Sequence, residues 1–250
     1  MNRIICLLLL SVLPAVTAFG GARRFTYVYE TTTAAPGTFE LESWITWSTD
    51  KDEDSSFDRL DFRHEIEFGI TDRLQAAVYV ADWNYRDGRS VETRGYAYDG
   101  TAVELIYNLT NPQTSAIGSA IYGELKIGED LVKLESKLLI EKQLGPLVLV
   151  YNATVEAEWE GEDLDERTGE FQQTVGASYE IKPQFLVGGE LLHEIEFPEW
   201  GDGEDSVVYA GPNASARFGS WWATTTALAQ LTDAGGEPNF QLRTIVGYSF

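Results

Sequence analysis

Charged side chains occupy every second position between residues 57 and 70 of this chain. The charged members of this pattern are Arg59, Asp61, Arg63, Glu65 and Glu67. Because successive side chains of a β-strand point to opposite faces, the spacing indicates a strand with one charged face and one apolar face. Carboxylates arranged in this way can attract cations, and the basic residues between them can form ion pairs with the carboxylates.

Another group of acids has the spacing of calcium ligands. Asp50, Asp52 and Asp54, with Asp61 at the twelfth position, match a helix-loop-helix calcium loop, but a serine replaces the glycine that this loop needs. The flanking residues alternate as strands do, so we interpret the match as accidental and expect no metal centre. The acidic segment 160–170 could bind divalent cations weakly, and a solvated acidic surface is the alternative.

The composition excludes several classes of function. The 250 residues include 40 acids against 18 Lys and Arg, and the net charge of −22 argues against nucleic acid as a partner. Aromatic residues make up 12% of the chain and apolar residues 44%, which favours a folded protein over disorder. No run of about 18 apolar residues is present, so no transmembrane helix is predicted.

The amino terminus has the pattern of a secretory signal peptide. Arg3 supplies a positive charge, residues 4–13 are apolar, and small residues precede the expected cleavage site after Ala18. We therefore expect residues 1–18 to be removed, together with Cys6, which leaves neither a disulfide nor a thiol nucleophile. An exported chain without an apolar helix can span a membrane only as a closed β-barrel.

Segments of alternating polarity recur along the rest of the chain. They lie near residues 39–49, 57–70, 74–84, 99–109, 117–127, 131–141, 147–159, 171–181, 185–197, 207–218, 221–230 and 239–250. These twelve segments predict an all-β fold, and their even number is typical of a single antiparallel up-and-down transmembrane barrel. We therefore predict a barrel of about 12 strands over residues 39–250. Segment 74–84, which is apolar on both faces, and Pro212, which cannot donate to a neighbouring strand, fit less well.

The predicted connections differ between the two ends of the barrel. On the periplasmic side they are mostly short, as at residues 71–73, whereas on the other side most are longer or more acidic, as at 50–54, 85–98 and 160–170. This asymmetry is typical of bacterial outer-membrane barrels. Residues 19–38 are predicted to form a periplasmic extension or a plug that enters the barrel.

The last strand and the aromatic residues indicate the class of barrel. Residues 240–250 read FQLRTIVGYSF, apolar at alternate positions except for Ile245, and this strand resembles the closing strand of bacterial outer-membrane β-barrels. A soluble β-sandwich also has alternating strands, but it explains neither this strand nor the asymmetry of the loops. Aromatic girdles form at the two membrane interfaces. The predicted girdle residues are Trp47, Trp159, Phe171, Tyr107, Tyr151, Tyr179, Trp221, Tyr248 and Phe250.

Over residues 39–250 the chain thus resembles channel-like, or porin-like, outer-membrane barrel proteins. The resemblance implies a location in the cell outer membrane, contact with its lipid and insertion by the outer-membrane assembly machinery. We expect no cofactor and no catalytic residue.

The residues on the other parity would line the lumen. The predicted charged lining comprises Arg59, Asp61, Arg63, Glu65, Glu67, Glu104, Glu124, Lys126, Lys133, Glu135, Lys137, Glu156, Glu158, Glu190, Glu194, Arg217 and Arg243. Acids outnumber bases in this set, so we predict a narrow passive channel for ions or small polar solutes with a weak cation preference. Two alternatives without catalysis remain open: ion pairs that only hold the wall together, and a structural or surface-interaction barrel without transport.

A hydrolase is the remaining alternative, and the two histidines bear on it. In outer-membrane phospholipases, a His and a Ser stand two residues apart on the lipid face, where the imidazole activates the hydroxyl. His64 and His193 lie on the lipid-facing parity, but Ile66 and Ile195 occupy the position of that serine. Acids beside His193 resemble those of outer-membrane proteases in residue type only. We therefore predict that the protein is not an enzyme.

Overall fold

Twelve antiparallel strands form a closed barrel in the computed structural model, which describes residues 23–250. The strands are β1 (Phe39–Lys51), β2 (Asp58–Thr71), β3 (Leu74–Asp87), β4 (Gly95–Thr110), β5 (Gly118–Ile127), β6 (Leu131–Leu144), β7 (Leu147–Glu160), β8 (Glu166–Lys182), β9 (Phe185–Pro198), β10 (Val207–Phe218), β11 (Trp221–Gln230) and β12 (Pro238–Ser249). Each strand pairs with its sequence neighbours, and β1 pairs with β12. The predicted all-β barrel and its strand number are confirmed. The predicted signal peptide lies outside the described residues.

The connections give the barrel two distinct ends. At one end, here called the turn end, β1 begins, β12 ends, and four of the five turns have two residues, as at 72–73 and 145–146. At the other end, here called the loop end, the connections include 161–165 and 199–206. Within residues 23–250, no helix is long and apolar enough to cross a membrane.

Alternation along each strand separates an inner face from an outer face. In β1, Glu42 and Trp44 are buried inside the barrel, whereas Leu41 and Ile45 are exposed on its outside. The same alternation in every strand gives the barrel an apolar outer surface, as lipid contact requires. Ile245, the exception in the last strand, keeps the alternation, because it points inward and is fully buried in an apolar cluster with Trp44.

Several strands extend further toward the loop end than the alternation of polarity predicts. β3 ends at Asp87 and β4 begins at Gly95, so half of the predicted loop 85–98 is strand and the loop shortens to residues 88–94. Tyr85 pairs with Tyr96 there, with ring centroids 4.9 Å apart, and such aromatic cross-strand pairs stabilise a hairpin. β8 likewise begins at Glu166, so the predicted loop 160–170 shortens to residues 161–165.

The two segments that fit the pattern less well are accommodated by the local register. The β3–β4 register shifts between Tyr79 and Asp82, and this bulge turns the Asp82 side chain into the lumen. Tyr79 belongs to the segment that is apolar on both faces, and it points into the barrel, where it is fully buried. Pro212 pairs with Gly189 of β9. The pairing of β10 with β11 is interrupted at Pro212, so the missing amide hydrogen costs no hydrogen bond to β11 there.

Candidate functional site in the barrel lumen

The lumen contains residues from the chain's own amino-terminal side. Residues 23–34, here called the lumenal segment, lie inside the barrel, and Phe25, Val28 and Tyr29 are at most 5% exposed. The chain then leaves through the turn end, where Pro36 forms a parallel bridge with Gly69 before β1 begins.

Glu190 of β9 is an anchor for the backbone of the lumenal segment. Its carboxylate accepts hydrogen bonds from the backbone amides of Thr26 at 2.9 Å, Tyr27 at 2.7 Å and Val28 at 3.0 Å. Hydrogen bonds to an ionised acceptor are stronger than those between neutral groups. A single inward-facing side chain therefore fixes three successive residues of the segment.

Other inward-facing side chains satisfy the neighbouring backbone groups. Asn152 accepts a hydrogen bond from the amide of Tyr29 at 2.7 Å and donates one to its carbonyl at 2.9 Å. Glu141 accepts hydrogen bonds from the amide and the hydroxyl of Thr31, both at 2.9 Å. A buried backbone needs such partners when no strand lies beside it. The segment thus has a specific docking site in the wall.

Glycines in two strands leave space for the segment. A Cβ atom added at Gly176 would lie 2.6 Å from the ring of Phe25, and one added at Gly118 would lie 2.6 Å from the hydroxyl of Thr31. Both separations are far below van der Waals contact, so a side chain at either position would displace the segment. These glycines allow side chains of the segment to approach the strand backbone closely.

The lumenal segment separates two cavities. The turn-end cavity has a volume of about 380 Å³, and Val28 and Glu30 form part of its lining. The loop-end cavity has a volume of about 290 Å³, and Tyr27 and Tyr29 form part of its lining. Each cavity can hold several water molecules, since one water occupies about 30 Å³ of liquid volume.

Most of the predicted charged lining residues face the loop-end cavity. They are Arg59, Asp61, Arg63, Glu124, Lys126, Lys133, Glu135, Lys137, Glu156, Glu194 and Arg243. Glu67 and Arg217 line the turn-end cavity. Glu158 lies 2.6 Å from the amine of Lys133, and Glu104 accepts a hydrogen bond from the hydroxyl of Tyr79 at 2.7 Å. Glu190 holds the lumenal segment.

Six glutamates stand directly opposite one another across six successive strands, β4 to β9. This glutamate row consists of Glu104, Glu124, Glu135, Glu156, Glu170 and Glu196. Like charges in directly opposite positions destabilise a sheet unless other groups compensate them. The row was not evident from sequence, because it depends on the register of five strand pairs.

Bases compensate one part of the glutamate row. Glu124 lies 2.9 Å from Arg63, Glu135 lies 3.0 Å from Lys137, and Glu156 lies 2.8 Å from Lys133.

The β8 and β9 part of the row has a different environment. Among the described residues, no salt bridge reaches Glu170 or Glu196. The amide of Gln172 donates to Glu170 at 3.2 Å and to Glu194 at 2.9 Å. The β8–β9 wall therefore carries three carboxyl groups, of which Glu194 lines the loop-end cavity, and among the described residues no base forms a salt bridge with them.

The carboxylates do not converge on a common point. In the part of the chain that the structure describes, no group of three or more His, Cys, Asp or Glu side chains is arranged to hold a metal ion. The row thus resembles a charged path along the wall more than a metal centre. Weak binding of divalent cations by the loop acids remains a prediction.

A serine and a histidine meet on the outer wall, which a search along single strands does not detect. The hydroxyl of Ser43 lies 3.1 Å from Nδ1 of His64, its direct cross-strand partner. Among the described residues, His64 has no other hydrogen bond, so no third group orients the imidazole as a catalytic base requires. Nδ1 of His193 lies 3.3 Å from the amide nitrogen of Gln173.

The predicted girdle aromatics lie on the outer face. At the turn end, Tyr248 contacts Trp221 at a ring-centroid distance of 4.7 Å and Phe250 at 4.9 Å. Toward the loop end, Trp47 contacts Phe240 at 6.0 Å. The others are exposed or half-buried: Tyr107, Tyr151, Trp159, Phe171 and Tyr179.

Comparisons with known proteins extend these observations. A family model described as "Family of unknown function (DUF6662)" matches residues 17–244. No curated protein matches the chain. Among solved structures, the COG4313 outer membrane channel from Pseudomonas putida F1 has a TM-score of 0.62 at 15% identity, covering 90% of this chain and 100% of that one.

Two porin structures are also similar to this chain. The NanC porin has a TM-score of 0.54 at 8% identity, covering 84% of this chain and 98% of that one. The KdgM porin has a TM-score of 0.52 at 10% identity, covering 84% of this chain and 99% of that one. At these identities the likeness concerns the fold. It confirms that the fold resembles that of outer-membrane β-barrels, as the alternating strands and the terminal strand indicate.

Proposed function

Since the chain belongs to the DUF6662 family and shares its fold with outer-membrane channels and porins, we propose that it is a narrow passive channel of the outer membrane. It passes ions or small polar solutes and has a weak preference for cations. The acidic β8–β9 wall carries this proposal. Glu194 lines the loop-end cavity and Glu170 and Glu196 stand opposite each other on the same wall, and acidic side chains along a pore attract cations and repel anions.

Passage through this channel requires the lumenal segment to move. The segment lies between the two cavities, and its backbone amides donate several hydrogen bonds to Glu190, Asn152 and Glu141, which hold it in place. A hydrogen bond to a charged group contributes roughly 1.5 to 3 kcal/mol. The docked state is therefore strongly favoured, and we expect brief, infrequent openings with a low average conductance.

The outer surface supports a location in the outer membrane. Exposed apolar side chains such as Leu41 and Ile45 form the outer face, and aromatic residues lie near both ends of the barrel. Contact with membrane lipid and insertion by the outer-membrane assembly machinery are part of the proposal.

Conductance of the purified protein in planar bilayers tests the channel function. We expect small currents from the native chain and larger, longer currents from Glu190→Gln/Asn152→Ala, in which the segment is less firmly held. Under a salt gradient, the reversal potential should have the sign of cation preference. Anion preference, or the absence of conductance in both proteins, would exclude the proposal.

A structural or surface-interaction barrel is the second candidate. The docking of the lumenal segment favours this second candidate, because the docked segment occludes the lumen and so blocks conduction. A double variant that releases the segment and still passes no current would support this candidate over a channel.

A further inference from the structure

Arg23 is held in the lumen as a bound ligand would be. Its Nε lies 3.0 Å and 3.2 Å from the two carboxylate oxygens of Glu42, and its Nη2 lies 3.6 Å from Glu65. Its guanidinium carbon lies 4.5 Å from the ring centroid of Tyr29 and 4.6 Å from that of Trp44. Carboxylates at the edge of a cation and aromatic rings over its face are the groups that recognise guanidinium and alkylammonium ions.

The wall supplies most of this site independently of the lumenal segment. Glu42 and Trp44 belong to β1 and Glu65 belongs to β2, and all three are at most 4% exposed. The indole nitrogen of Trp44 donates a hydrogen bond to Glu42 at 2.8 Å, which orients the carboxylate toward the guanidinium. Only Tyr29 and the ligand itself come from the segment.

The site has more carboxyl groups than one guanidinium can pair with. Glu40, Glu67 and Glu104 lie on the same inward-facing wall and are also buried. Within the described chain, one oxygen of each of these three carboxylates, and Oε1 of Glu65, has no hydrogen-bond donor. Buried carboxylates without compensation are costly. Removal of Arg23 would therefore leave Glu42 and Glu65 buried without their cationic partner, in a site that favours a replacement cation.

We propose that Glu42, Glu65 and Trp44 form a lumenal binding site for guanidinium and alkylammonium cations, which Arg23 occupies as a tethered competitor. The inference deepens the proposed function by naming a class of solute, and it rests on that function for passage through the barrel but not for binding. In the docked state the site is filled from within the chain. A free cation of the same class gains access when the segment leaves.

Chemical rescue tests the binding site directly. Arg23→Ala in the full chain removes the tethered guanidinium and should lower the midpoint of thermal unfolding. Ethylguanidinium chloride should raise that midpoint again, because a ligand at about ten times its Kd shifts the folding equilibrium about elevenfold. Sodium chloride at equal ionic strength should not do so. The native chain, whose site is filled, should show little response.

The triple variant Arg23→Ala/Glu42→Gln/Glu65→Gln provides the matched control. Equal rescue of this variant, equal rescue by sodium chloride, or no rescue of Arg23→Ala would overturn the inference. If Arg23→Ala does not fold, Arg23→Gln replaces it, with the same expected results. Rescue in a protein that never conducts would retain the site and reject the channel, whereas conductance without rescue would do the opposite.

Discussion

The carboxylate of Glu190 lies 2.7 Å from the backbone nitrogen of Tyr27, a residue 163 positions away in the chain. Glu190→Gln removes the charge from this anchor and allows only one amide oxygen to accept hydrogen bonds. A loss of roughly 1.5 to 3 kcal/mol corresponds to a tenfold or larger increase in the undocked population. We expect a similar increase in open time in single-channel recordings.

Glu166→Gln is the control for this prediction, because Glu166 is an exposed residue at the start of β8. An equal increase in open time in the control would show that Glu190 does not act by holding the segment.

Gly176→Val should displace the lumenal segment by steric collision with Phe25. The added Cβ would lie 2.6 Å from the phenyl ring. Overpacking of this kind costs about 1 to 3 kcal/mol. We expect a lower unfolding midpoint and a larger conductance. Gly123→Val is the matched control, since the atom nearest to its Cβ is 3.9 Å away, and it should change neither quantity.

Glu170→Gln/Glu196→Gln should weaken the cation preference of the channel. These carboxylates stand opposite each other on β8 and β9. Their neutralisation removes the attraction for cations at the loop end. The reversal potential under a salt gradient should therefore move toward zero. Glu162→Gln, in the exposed loop 161–165, should leave it unchanged, and an equal shift there would point to a general surface-charge effect.

Ser43 and His64 should behave as a structural polar pair. Ser43→Ala leaves Nδ1 of His64 without its partner at 3.1 Å, which should lower the free energy of unfolding by about 1 to 3 kcal/mol. Ser43→Ala/His64→Leu replaces both polar groups and should be close to neutral. Esterase activity of the native protein that disappears in Ser43→Ala would contradict this interpretation and support a hydrolase.

Asp54 should make the ordering of loops 52–57 and 88–94 dependent on pH. Hydrogen bonds from the Ser56 hydroxyl and from the Ser90 backbone amide hold the pKa of Asp54 well below its usual value. A lowered pKa means that the stabilisation is present at neutral pH and is lost only as the pH falls below the ordinary value of about 3.9. Protection of the Ser56 and Ser90 amides from hydrogen exchange, relative to the intrinsic rate at each pH, should therefore be high at pH 5 and fall in stronger acid.

In Asp54→Asn, exchange at these two amides should be fast already at pH 5. Glu92→Gln, at an exposed position of loop 88–94, serves as the control and should retain the behaviour of the native chain.

The strands could be predicted from sequence because a period of two fixes which side of each strand is buried. Residues 57–70 and the terminal strand with Phe250 carry that information locally. The Ser43–His64 pair and the glutamate row could not be predicted, since both depend on the register between strands. The site of Arg23 depends in addition on what fills the lumen. Its local sequence signal is the aromatic-rich stretch 25–29, whereas Gly176, which makes room for Phe25, lies on a strand distant in sequence.

The wide separation of contacting residues has a consequence for biogenesis. The carbonyl of Arg23 accepts hydrogen bonds from Ser215 at 3.0 Å and from Thr224 at 2.6 Å, which lie 192 and 201 positions later in the chain. This part of the docking surface does not exist until β10 and β11 have joined the sheet, and contacts between such distant residues form late. The barrel therefore seals itself in its final steps of assembly. An arrested intermediate should make the membrane leak more than the finished protein does.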